Sequence, residues 1–222
     1  MPPQNDAPNF MVAMNNCACC AMGALLGKSA TEIAQRYSHM IGANPPNESG
    51  TRAADLFARF LIAKTGGKKE EGEGIEALQQ QIDGMKLALT MEGYSLKQAG
   101  KISSPLKVEN AIETAAKWND NTKFLCLTGD VSDWDSRSLV GSPHWTAGIV
   151  HKRVPIFIDY QMAITNVRVR SDLARRTPKD LTRPGVSDQP MAGFGRPLDP
   201  GDGRVILIGV FSRRKAIEPL KL

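Results

Sequence analysis

The chain has 222 residues, 41% of them hydrophobic and 23% charged, with a net charge of +5. That is enough chain for one substantial core, too little for two large domains, and too apolar for a disordered segment. The Lys and Arg residues are scattered apart from Lys68-Lys69 and Arg213-Arg214-Lys215. No basic stripe interleaves with aromatics, so no nucleic-acid partner is expected; a mildly basic surface suits an acidic partner, a cell-wall polymer or a membrane surface equally well.

The opening Met-Pro-Pro-Gln-Asn-Asp-Ala-Pro has neither the positive n-region nor the apolar h-region of a Sec signal, and no run is long enough to span a bilayer. The expectation is synthesis in a bacterial cytoplasm, with any other destination reached by a specialised secretion system. Residues 1–13 read as an extended arm. Helix formers after Asn15-Asn16 predict a helix from Cys17 that Gly27 stops. Ser29 and Glu32 form a capping-box pattern for a second helix to Met40. The stretch 44–50 reads as a loop. Apolar residues at helical spacing predict a third helix over 51–64, followed by a charged connector over 66–72. Further on, 75–82 reads as a short helix, 86–91 as a strand and 108–118 as a helix.

The texture then turns to β. Residues 124–128 predict a strand and 129–142 a polar loop. The runs 145–150 and 154–160 predict two strands, 165–170 another, and 205–211 an apolar strand fit for a sheet interior. Residues 184–203, dense in Pro and Gly, read as a long loop. Helices first and strands later give an α+β class: one domain over 1–222, with N-terminal helices packed on a small antiparallel sheet.

Four cysteines sit at Cys17, Cys19, Cys20 and Cys126. Three crowded together do not make a disulfide framework and point instead to catalysis, metal or redox chemistry. A thiol attacks an amide as thiolate, which a helix N-terminus and an imidazolium both favour. Cys17 opens its helix. The amide of Asn15 or Asn16 and the free N–H groups there are candidate donors to an oxyanion. Cys20, one turn on and on the same face, is the rival nucleophile. Of three histidines, His39 lies within a helix, His151 at a turn beside Lys152, and His144 at a strand start where a residue can face a cleft. A two-residue turn at His151-Lys152 would set His144 opposite Asp159, with Cβ atoms about 5 Å apart. His-Lys is a poor hairpin turn, and a slip of one residue would send Asp159 to the other face.

The residues resemble a family. Asn16-Cys17-Ala-Cys-Cys20-Ala21, with Leu25-Leu26-Gly27 beyond, is similar to the Asn-Cys-x-x-Cys-Ala signature of the papain-fold bacterial toxin domains. Ser142-Pro143-His144-Trp145 and Ile158-Asp159-Tyr160-Gln161 resemble its His strand and Asp-x-Gln strand, Tyr160 standing where Pro is commoner. The resemblance covers only these patches and their order. It implies a papain-like cysteine protease or glutamine deamidase acting as an effector, with Cys17 as nucleophile, His144 and Asp159 completing a triad, and Gln161 in support. It needs no cofactor and no metal. The substrate it implies is a protein of the target cell. Alternatives stand beside this reading: a peptidoglycan amidase or endopeptidase, a zinc or redox Cys cluster, and a non-enzymatic interaction protein. A toxin would also carry a cognate immunity protein as partner.

Overall fold

The computed structural model describes residues 16–43, 53–67, 75–131, 134, 143–160 and 185–212. The arm over 1–13, Asn15, the loop over 44–50, Gln161 and the strand expected over 165–170 lie outside them, as do most of the connector over 66–72 and of the loop over 129–142. Helix α1 (Cys17–Leu26) is apolar on every side and buried along nearly its whole length, as a helix without a polar face must be. Gly27 ends it in the left-handed conformation at φ 72°, and Lys123 donates to the Leu25 carbonyl at 3.2 Å, a cation at the negative end of the helix dipole. Helix α2 (Ala30–His39) starts with both bonds of the Ser29–Glu32 capping box in place.

Helices α3 (Ala53–Thr65) and α4 (Ile75–Met91) follow. The expected strand over 86–91 is instead the last part of α4. Gly84 does not break the helix; it lets the chains cross closely, since a Cβ there would lie 1.9 Å from the Phe57 carbonyl oxygen. Burial of Met85, Ala88 and Leu89 on one face favours continued helix over a strand. Helix α5 (Val108–Ala116) falls where expected. Among the described residues no helix is long and apolar enough to cross a membrane.

Strands β1 (Tyr94–Ala99), β2 (Leu106–Lys107), β3 (Lys123–Asp130), β4 (His144–His151), β5 (Val154–Ile158), β6 (Val186–Ser187) and β9 (Gly203–Ser212) form one antiparallel sheet. Its order is β1-β9-β3-β4-β5-β6, with β2 also on β9. The sheet is thus larger than expected and covered on both faces. Leu125, Leu127, Ile206 and Ile208 enter a core with α1–α4. Phe124, Cys126, Val205 and Leu207 enter another with α5 and Trp118. Two-sided burial explains why β3 and β9 read as unbroken apolar runs, each large side chain contributing about 1.5–3 kcal/mol. On β4, Gly148 leaves room for Phe124, whose ring would lie 2.2 Å from a Cβ there.

Two further expectations are corrected. The β4–β5 hairpin turns at Lys152–Arg153, with φ of 49° and 63°, and not at His151-Lys152. Positive φ at both positions is the hairpin-turn geometry that matches strand twist, and Asp120 steadies it by accepting from the Arg153 N–H at 3.1 Å. The stretch over 184–203 is no plain loop either. After β6 comes a small hairpin, β7 (Met191–Ala192) and β8 (Arg196–Pro197), joined by a 3-10 turn at Gly193–Gly195.

Candidate active site

Asn16 is the N-cap of α1 and is fully buried. Its backbone carbonyl accepts from the Cys20 N–H at 3.0 Å, but its side chain makes no capping bond. Cys17 therefore holds the first helical position, where the dipole is positive and the first-turn N–H groups have no partner within the helix. At 8% exposure Cys17 is the most accessible of the four cysteines, all of which are free thiols.

The register sets the other two groups. Ala147 pairs with Ile158, so the continuing register sets Asp159 against Thr146 and not against His144. The displacement from the expected pairing is two residues, an even number. Parity is kept, and Asp159 becomes a diagonal neighbour of His144 on the same face, still within reach of a long side chain. His144 Nε2 lies 3.0 Å from Asp159 Oδ2. Opposite charges at this distance attract whatever the angle, so the two form an ion pair when the imidazole is protonated.

Cys17 is the imidazole's other close neighbour. Burial alone would lower the His144 pKa. Contact with the Asp159 carboxylate and the Cys17 sulfur outweighs it, and the imidazole is held up at about 10. His144 is therefore an imidazolium at neutral pH, the state that favours a thiolate beside it.

The other thiols sit differently. Burial pushes Cys20 well above the ordinary thiol range, and the nearby Cys19, Cys17 and Asp159 push it further. Burial and Cys17 do the same to Cys19, and burial takes Cys126 up to about 12. Cys20, the rival nucleophile, is 1% exposed and held as a neutral thiol. His39 is exposed at the end of α2, and His151 lies at the far end of β4, about 20 Å from His144 at strand rise. Trp145 is a core residue, its indole N–H donating to Gln81 Oε1 at 3.2 Å. Among the described residues, no three His, Cys, Asp or Glu side chains gather as a metal ion requires.

Sequence reasoning missed the partners of Asp159. Its Oδ2 accepts from the Gly195 N–H at 3.2 Å, and its own N–H donates to the Gly185 carbonyl at 2.8 Å. Both partners, the Gly195 N–H and the Gly185 carbonyl, are backbone groups, which leave no mark in side-chain chemistry. Two-residue strands are likewise too short to show a periodicity.

No known protein-family model matches this chain, and no curated protein is significantly similar to it in sequence.

Proposed function

We propose that the chain is a papain-like thiol hydrolase acting on an amide bond, with Cys17 as nucleophile, His144 as acid and base, and Asp159 as the group that orients the imidazole. The observation that carries this reading is the position of His144, between the sulfur of Cys17 at a helix start and the carboxylate of Asp159.

The Cys17 thiolate attacks the carbonyl carbon, and the carbonyl oxygen takes up negative charge. The N–H groups at the start of α1 face that charge, with Asn16 beside them as a further donor. As the C–N bond breaks, the His144 imidazolium gives its proton to the leaving amine, and a thioester forms. The neutral imidazole then takes a proton from water, whose oxygen attacks the thioester and releases the acid. Asp159 balances the imidazolium in the charged states and keeps the ring in one orientation, as in other triads. With Nε2 turned to Asp159, Nδ1 is the nitrogen left for sulfur.

The resemblance to papain-fold toxin domains makes a protein of the target cell the proposed substrate, cut at a peptide bond or deamidated at glutamine. Expression inside the cytoplasm should then be toxic, and toxicity should vanish in Cys17→Ala. Lysis only after export to the periplasm would move the substrate to the cell wall. The chemistry itself is tested by iodoacetamide alkylation of each cysteine across pH, read by peptide mass spectrometry. Cys17 should react fastest, below neutral pH, and lose that advantage in His144→Ala. Equal and slow reaction of all four thiols sinks the proposal.

A further inference from the structure

We propose that the β7–β8 hairpin is a positioning element of the Cys17–His144–Asp159 group, locked to the sheet by the Thr128 hydroxyl. The inference rests on the thiol-hydrolase reading for its functional consequence, though the lock itself is independent of it. Thr128 stands directly opposite His144 in the β3–β4 register. It is 1% exposed and polar in an otherwise apolar strand segment. Its Oγ1 lies 2.7 Å from the Met191 carbonyl oxygen on β7 and 3.2 Å from the His144 carbonyl oxygen. One hydroxyl proton thus serves the hairpin first and leans toward the backbone of the histidine.

From Met191 the hairpin runs one residue to the 3-10 turn, whose Gly195 N–H reaches Asp159 Oδ2. That same oxygen faces His144 Nε2. The ring of contacts is closed: His144 backbone, Thr128 hydroxyl, Met191 carbonyl, Gly195 amide, Asp159 carboxylate, His144 imidazole. The Gly195 N–H donated to Asp159 Oδ2 restrains the last torsion of that buried carboxylate. Gly195 has φ of 66°, a conformation that glycine adopts without strain and other residues resist. The turn at Gly193–Gly195 therefore holds an amide where Asp159 needs it. Thr128 and Met191 are each 1% exposed, so bulk water does not take the place of a lost Thr128 hydroxyl. The Met191 carbonyl then has to move to find a donor, and the turn moves with it.

Thr128 touches no reacting atom, so it is a positioning residue, and its test needs a readout that mere stability leaves alone. The full chain is compared as wild type, Thr128→Val, which keeps the shape and loses the donor, and Thr128→Ser, which keeps the donor. Amide exchange at Gly195 reports the lock, NMR titration of His144 reports the contact with Asp159, and alkylation of Cys17 at pH 6 reports the consequence. In Thr128→Val, Gly195 exchange should accelerate at least tenfold relative to the protected amides of β3, and the His144 midpoint should fall by about one pH unit. Cys17 alkylation should drop about tenfold, the order expected from a misoriented base. Thr128→Ser should restore all three. If Thr128→Val does not fold, Thr128→Cys, a weaker donor of similar size, carries the same comparison. Unchanged Gly195 exchange and His144 midpoint in a folded Thr128→Val overturn the inference, even if the melting temperature falls. Faster Gly195 exchange in a protein whose wild-type Cys17 is no more reactive than Cys126 leaves the lock standing and overturns the hydrolase reading beneath it.

Discussion

Strand β4 begins and ends with a histidine, and the two ends are opposite environments built from the same backbone. At the His144 end the side chain is buried, a fully buried carboxylate stands 3.0 Å away, and the sulfur at the start of α1 is its other neighbour. At the His151 end the chain enters a tight turn whose two central residues, Lys152 and Arg153, are exposed and carry positive φ. One end gathers charge where little water reaches; the other closes a hairpin. Imidazole chemistry is thus set by what the sheet brings alongside and not by the residue itself.

The contrast is broken most severely at the buried end. Cys17→Ala and His144→Ala should each abolish alkylation at that site or turnover of an amide substrate, with losses on the order of 10³-fold or more. Toxicity on cytoplasmic expression is the simplest assay for turnover, and full toxicity in either variant contradicts the proposed chemistry. Asp159→Asn comes next. It keeps the size but removes the charge that balances the imidazolium, and a rate loss on the order of 10²-fold or more is expected. Its His144 midpoint should fall from about 10 toward the ordinary imidazole range, which NMR titration reads directly.

The same pair gives stability a pH dependence of definite sign. His144 holds its proton to about pH 10 in the folded chain against an ordinary value of 6.5. Its contribution is present in full below pH 6.5 and is lost as pH rises through about 10. Melting temperature should therefore fall across that window more in the wild type than in Asp159→Asn. Equal slopes in the two proteins would show that the pair adds nothing to folding.

Smaller effects sharpen the comparison. Cys20→Ala should leave Cys17 alkylation within about twofold and cost about 1 kcal/mol in denaturant unfolding, the scale of a small buried truncation. A thousandfold loss there would shift the nucleophile to Cys20. At the other end of β4, His151→Ala should change neither alkylation nor stability by more than about 0.5 kcal/mol. Replacing Lys152-Arg153 by Asn-Gly should stabilise the hairpin by about 1 kcal/mol, since Asn and Gly accept positive φ at lower cost.

Much of this was legible in the chain alone. Gly27 and the Ser29–Glu32 box bound α1 and α2 because caps act within four residues. The apolar runs of β3 and β9 announce buried strands, and helices before strands announce the α+β class. The choice of Cys17, His144 and Asp159 also came from the sequence, from a helix start, a strand start and a hairpin. The turn lies one residue later than the sequence predicts, which displaces the pairing by two, and Asp159 stays on the face of His144 because an even displacement keeps parity.

Tertiary structure decided the rest. Whether Cys17 or Cys20 meets the imidazole depends on how α1 lies on β4, and burial separates thiols that stand three residues apart. The length of α4 depends on a crossing with α3 that only Gly84 permits. The hairpin over 191–197 takes backbone partners from the Thr128 hydroxyl and the Asp159 carboxylate, 63 and 36 residues away in sequence. Local propensity acts over a few residues. Contacts between distant backbone groups are fixed by the sheet that brings them together, and no local pattern carries them.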